Sequence, residues 1–208
     1  MAGATPSLQV NNLFATPLMF RRWGDDPLNA ELRSRILAHR DTSKGLANSN
    51  IGGWHSEDGR LEFCGSAGAA LIERALAMTQ EATARVLQDY GQAAQPFEWL
   101  MTAWANVNER GDFNQAHTHP GSTWSGVYYV DTGVAGSEAK PAPLQIFDPC
   151  QGRANTFLPN FLPNNLTIRP EAGLMLLFPA YVGHLVFPHQ GPGPRISIAF
   201  NMRRQPYP

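Results

Sequence analysis

The period of apolar and polar positions changes near Pro96, and the change divides the 208-residue chain into two kinds of structure. Before it, apolar residues recur at helical spacing. Leu28, Leu32, Ile36 and Leu37 follow Asp26-Pro27, and a proline in the first helical turn sacrifices no hydrogen bond, because that N–H has no partner in any helix. A longer helix is predicted from about Ala67 to Tyr90, where Leu71, Ile72, Ala75, Met78, Val86 and Leu87 fall mostly on one stripe and Gly91 is a natural stop. The segment Ser49 to Ser56 between them reads as a loop, with Gly52-Gly53 for freedom and Trp54 and His55 as substrate-facing candidates; a plain surface turn fits it equally.

After Pro96 the runs are short, β-branched or aromatic, and separated by Gly, Pro and Asn clusters: Trp99 to Val107, Trp124 to Val130, Leu144 to Phe147, Leu174 to Phe178 and Arg195 to Asn201. Many short strands with such turns predict a sandwich, jelly roll or barrel, with the helices as a buttress. The expected organisation is one domain over 1–208, with the buttress over about 25–92 and the β core over about 96–205.

Composition narrows the function. Sixteen basic and 17 acidic residues leave a net charge of -1, and the cations are scattered, so nucleic acid is not an expected partner. No stretch is apolar enough to span a bilayer and the first residues do not read as a signal peptide, which suggests a cytoplasmic protein with no membrane partner. Cys64 and Cys150 are far apart and read as two buried thiols in a reducing compartment.

Three sites carry candidate chemistry. In His117-Thr118-His119-Pro120 the proline holds His119 extended, and residues two apart in extended chain share a face, so both imidazoles could meet one ion. His184 follows an apolar strand, Leu174 to Phe178, and a tight corner; a satisfied core histidine is the alternative there, and His189 in the next turn is a rival. In Arg195 to Asn201, alternation puts Ile196, Ile198 and Phe200 on one face and Arg195, Ser197, Ala199 and Asn201 on the other. A guanidinium among small inward residues needs an anion, and its fork suits a carboxylate; a solvated edge strand is the competing reading.

Together the three sites, with 67 residues from His117 to His184 and 11 from His184 to Arg195, resemble the 2-oxoglutarate/iron(II) oxygenase superfamily. Asn114 to Pro120, Ser125-Gly126-Val127-Tyr128-Tyr129-Val130 and Ile196 to Asn201 are similar to a set of bacterial and phage oxygenases, and the Ser49 to Ser56 loop matches that set too. The resemblance implies a double-stranded β-helix (a cupin-like jelly roll). It also implies iron(II), dioxygen and 2-oxoglutarate, with the far carboxylate of 2-oxoglutarate on Arg195 and Ser197 and an unidentified small-molecule or protein side-chain substrate. Asn106, Asn108 and Tyr128 are further candidates for holding the co-substrate or orienting a ligand.

One position departs from the superfamily pattern, because His119 stands where a carboxylate is usual. A three-histidine site is preferred; two histidines plus water, or a carboxylate from Asp131 or Asp148, are the other readings. Two rival functions remain at this stage: a zinc or manganese cupin isomerase, which needs no Arg-x-Ser, and a non-catalytic jelly-roll binding module.

Overall fold

Asp26 begins the first helix by accepting a hydrogen bond from the Leu28 amide at 3.0 Å, with Pro27 in the first turn as the sequence predicts. This helix, α1 (Pro27–Arg40), and α2 (Gly65–Asp89) bury one apolar stripe each: Leu32 and Ile36 from the first, Leu71, Ala75 and Met78 among others from the second. The computed structural model describes residues 8, 14–24, 26–134, 141–150 and 160–205.

The strands form two sheets. The larger holds, in spatial order, β1 (Met19–Arg22), β9 (Leu174–Pro179), β6 (Trp124–Asp131), β11 (Arg195–Arg204), β4 (Trp99–Asn108) and β3 (Trp54–His55). The smaller holds β2 (Asn50–Ile51), β5 (Phe113–His117), β10 (His184–Val186), β7 (Leu144–Phe147) and β8 (Asn165–Ile168). All pairings are antiparallel. This is the mostly β, helix-buttressed jelly roll that the sequence predicts.

Period-two alternation assigns each face. On β11, Ile196, Ile198 and Phe200 pack under the helices with Ala103, Ala105, Val107 and Tyr128, while Leu174, Leu176 and Phe178 of β9 meet Leu144, Ile146 and Val186 between the sheets. Gly126 lies opposite Phe200, and a Cβ there would come within 2.2 Å of the Phe200 ring, so glycine in this strand makes room for an aromatic in the next. β11 is central, flanked by β4 and β6, which removes the solvated-edge reading of its polar face.

The Ser49 to Ser56 segment is not a free loop. β2 pairs with β5 in one sheet and β3 with β4 in the other, so the turn straps the two sheets together beside the barrel mouth. Gly52 at φ +65° lies where a Cβ would stand 2.0 Å from the Asp112 carboxylate, which fixes why glycine is needed. Both cysteines are free; Cys64 is buried as expected, whereas Cys150 is exposed because it lies in the turn beyond β7 rather than in the core. Among the described residues no helix is long and apolar enough to cross a membrane.

Candidate metal centre

His117 ends β5 and His184 opens β10, and the register places them directly opposite each other. Their rings lie 4.3 Å apart, centroid to centroid. His119 is two residues past the end of β5, where its backbone amide donates to the Ala180 carbonyl at 3.0 Å; its ring is 4.9 Å from that of His117 and 5.2 Å from that of His184. One ligand-capable nitrogen from each of the three falls within 4.8 Å of the others, and no carboxylate among the described residues joins them. Asp131 instead pairs with Arg33 at 2.8 Å and Asp148 caps the Cys150 amide at 2.9 Å, so neither supplies the missing carboxylate.

The tautomers follow from what each Nδ1 meets. His117 Nδ1 is 2.7 Å from the Gln115 carbonyl and His184 Nδ1 is 3.0 Å from the Val182 carbonyl. A carbonyl only accepts, so both Nδ1 atoms carry hydrogen and both Nε2 lone pairs are free to ligate. Burial, reinforced by His117, holds His119 and His184 neutral, with pKa values lowered to about 4 and about 3. Three imidazole ligands suit iron, zinc, copper or nickel and leave coordination positions open.

Arg195 is 1% exposed and faces the same cavity, about 510 Å³ in extent, that the three histidines line. Its Nη1 donates to Ser197 Oγ at 3.2 Å, its Nε has no partner, and no Asp or Glu among the described residues pairs with it. The Tyr129 ring lies 5.3 Å from the guanidinium carbon. Burial lowers the Arg195 pKa and raises that of Tyr129 to about 12. A desolvated guanidinium is costly without a counter-charge, so the cavity is built to receive an anion.

Of the remaining expected residues, Asn106 lines this cavity and Asn108 does not; Asn108 is buried on the same face but lies against the β2–β3 turn. Tyr128 is a correction. It points out under the helices, where its hydroxyl donates to Asn29 Oδ1 at 2.7 Å, and its neighbour Tyr129 is the tyrosine in the cavity, since a step of one residue reverses the face. His189 is buried elsewhere, with Nε2 2.7 Å from the Gly193 carbonyl, and takes no part in the cluster.

A second cleft, about 920 Å³ and more open, meets the first at His117 and His119. Asn48, His55, Asp58, Thr102, Trp104 and Asn201 contribute to its walls. His55 lines this cleft and stacks on Trp104 at 5.4 Å with planes 12° apart. Trp54 does not: its indole N–H donates to the Ser43 carbonyl at 3.1 Å, and the ring packs toward the helices. Trp104 and Asn201 also line the cleft and are not among the sequence candidates, although each is on the inward face of a strand that alternation identifies.

Residues 102–201 match the model of the family described as "Putative 2OG-Fe(II) oxygenase". No curated protein matches the chain. Among solved structures, a Pseudomonas putida prolyl-4-hydroxylase is 15% identical at a TM-score of 0.58, covering 91% of this chain and 93% of that one. A Trichoplax adhaerens prolyl hydroxylase, in complex with a hypoxia inducible factor oxygen degradation domain peptide fragment, is 13% identical at 0.58, covering 89% and 83%. HygX from Streptomyces hygroscopicus, with nickel and 2-oxoglutarate bound, is 12% identical at 0.55, covering 90% and 83%. These likenesses show the shared fold. Residues 102–201, the segment that carries the three histidines, Arg195 and Ser197, are thus similar to the 2OG-Fe(II) oxygenase family.

Proposed function

We propose that the protein is a hydroxylase in which His117, His119 and His184 hold iron(II), and Arg195 and Ser197 hold the far carboxylate of 2-oxoglutarate. The observation that carries this reading is the fully buried guanidinium of Arg195, with no carboxylate partner among the described residues, in the cavity lined by the three histidines. A 2-oxoglutarate site needs that charge and a non-oxygenase metal cupin need not have it, while a passive binding module needs no histidine cluster. When bound, iron(II) supplies the redox chemistry by which dioxygen converts 2-oxoglutarate to succinate and carbon dioxide and hydroxylates a C–H bond of a second substrate.

The chain's own residues divide the work between the two clefts. The inner cavity gives one anion a countercharge, and Asn106 and Tyr129 stand in its wall to orient it. The open cleft receives the second substrate. Beyond the two ligand histidines, its lining holds neutral amides, hydroxyls, the rings of His55 and Trp104, one carboxylate in Asp58 and, among the described residues, no Lys or Arg, so a polar substrate that is neutral or cationic fits it and an acidic one finds no partner. We read 1–208 as one oxygenase unit, working in the cytoplasm, where two free thiols are stable.

The test is anaerobic titration of the iron(II)-loaded protein with 2-oxoglutarate, followed by the metal-to-ligand charge-transfer band. The band should appear in the wild-type protein and be lost, with tight iron binding, in His117→Ala and His184→Ala. A wild-type protein that binds iron but shows no band removes the oxygenase reading and leaves the cupin one.

A further inference from the structure

Asn201 lies six residues beyond Arg195 on the same inward face of β11, so one strand carries the anion site at one end and a contact to the histidine cluster at the other. Its side-chain amide reaches His119, with Nδ2 and Nδ1 3.2 Å apart. The other end of the amide, Oδ1, is buried and has no partner.

His117 and His184 each give their Nδ1 hydrogen to a backbone carbonyl within the local chain. His119 stands beyond β5 in a turn, where its own carbonyl accepts from the Ser122 amide at 3.3 Å, and Nδ1 meets a side chain instead. For His119 to present Nε2 beside the other two, Nδ1 must carry the proton, and that proton needs an acceptor. An amide oxygen and an amide nitrogen occupy the same shape and exchange by a half-turn of the group, so the atom facing Nδ1 is assigned by chemistry rather than by outline. With the amide nitrogen there, Nδ1 would be the acceptor, Nε2 would carry hydrogen, and His119 would turn an N–H toward the cluster.

We infer that Asn201 is the positioning residue of the third ligand: its Oδ1 accepts from His119 Nδ1–H and fixes the tautomer in which Nε2 faces the metal. The inference rests on the three-histidine reading above. It assigns to β11 a double task, holding the co-substrate through Arg195 and setting the ligand that replaces the usual carboxylate through Asn201.

The first measurement needs neither metal nor variant. A long-range proton–nitrogen spectrum of the metal-free protein should show His119 with a protonated Nδ1 and a bare Nε2; the reverse tautomer overturns the inference. The second is cobalt(II) affinity, read from its visible absorption. Asn201→Leu removes the acceptor and should weaken binding by roughly 10- to 100-fold, the usual loss when a ligand's outer partner is removed. Asn201→Asp keeps an acceptor at the same place and should restore wild-type affinity or better. Unchanged affinity in Asn201→Leu, or a fall in Asn201→Asp as large as in Asn201→Leu, also overturns it. A wild-type protein that takes up no metal counts against the proposed function itself, and the metal-free spectrum still decides the tautomer.

Discussion

The two faces of the larger sheet alternate residue by residue along the same strands, yet their chemistry is opposite. On the helix side, Ile196, Ile198, Phe200 and Met202 are fully buried, and the few polar groups have partners: Tyr128 donates to Asn29, and the Trp124 indole donates to Thr83 at 3.0 Å. On the inner side, Asn106 Oδ1 and Arg195 Nε, both in the cavity wall, are buried without partners. Native proteins satisfy buried polar atoms almost everywhere, so a concentration of unsatisfied ones on a single face marks where ligands complete the structure. The outer face holds the fold together; the inner face spends stability on function.

The largest expected effect is on the inner face. If Arg195 receives a carboxylate, Arg195→Gln leaves that anion buried without a countercharge, a loss of about 3–5 kcal/mol, or roughly a hundredfold to a few thousandfold in 2-oxoglutarate affinity. The unliganded fold should not weaken, because the variant removes a buried unpaired charge. Calorimetric titration with 2-oxoglutarate and urea unfolding of the metal-free protein together read both halves. Unchanged 2-oxoglutarate binding would sink the co-substrate assignment whatever the histidines hold.

Three residues along β11, the outer face should behave in the reverse way. Ile198 is fully buried under the helices, and Ile198→Ala should cost about 2–5 kcal/mol of unfolding free energy. The 2-oxoglutarate affinity of the folded fraction should stay as in the wild type. A variant of normal stability with impaired co-substrate binding would abolish the distinction between the faces.

The same contrast explains what was legible in the sequence. Alternation along β11 places Arg195 and Ser197 inside and Ile196, Ile198 and Phe200 outside, because a ten-residue strand with regular patterning needs no knowledge of its neighbours. The helices read as well, from local period and the Asp26-Pro27 start. In β6 the run Val127 to Val130 is apolar or aromatic throughout, so period two cannot choose between Tyr128 and Tyr129 as the tyrosine that faces in. Trp104 and Asn201 gain their roles only when β3 and the turn after β5 are brought to them by long-range pairing. Likewise, the two short strands of the Ser49 to Ser56 segment are defined by partners in two different sheets, and no local signal records that.

The smallest effect near neutrality, and one that sharpens the comparison from the solvent side, is the pH dependence of the metal-free protein. His119 and His184 have folded pKa values lowered to about 4 and about 3, mainly by burial and secondarily by His117. In the unfolded chain both return to about 6.5. Between those limits the unfolded state binds more protons than the folded one, so stability must rise with pH and fall with acidification. The contribution is therefore fully present above about pH 6.5 and is lost progressively as pH drops toward 4 and then 3. Unfolding midpoints of the metal-free protein at pH 7.5, 6.5, 5.5 and 4.5 should decline steadily below 6.5, and His184→Gln should flatten the decline because an amide does not titrate. If the wild-type midpoint were level from 6.5 to 4.5, the two imidazoles would not be held neutral by burial, and the inner face would be more open to water than its packing indicates.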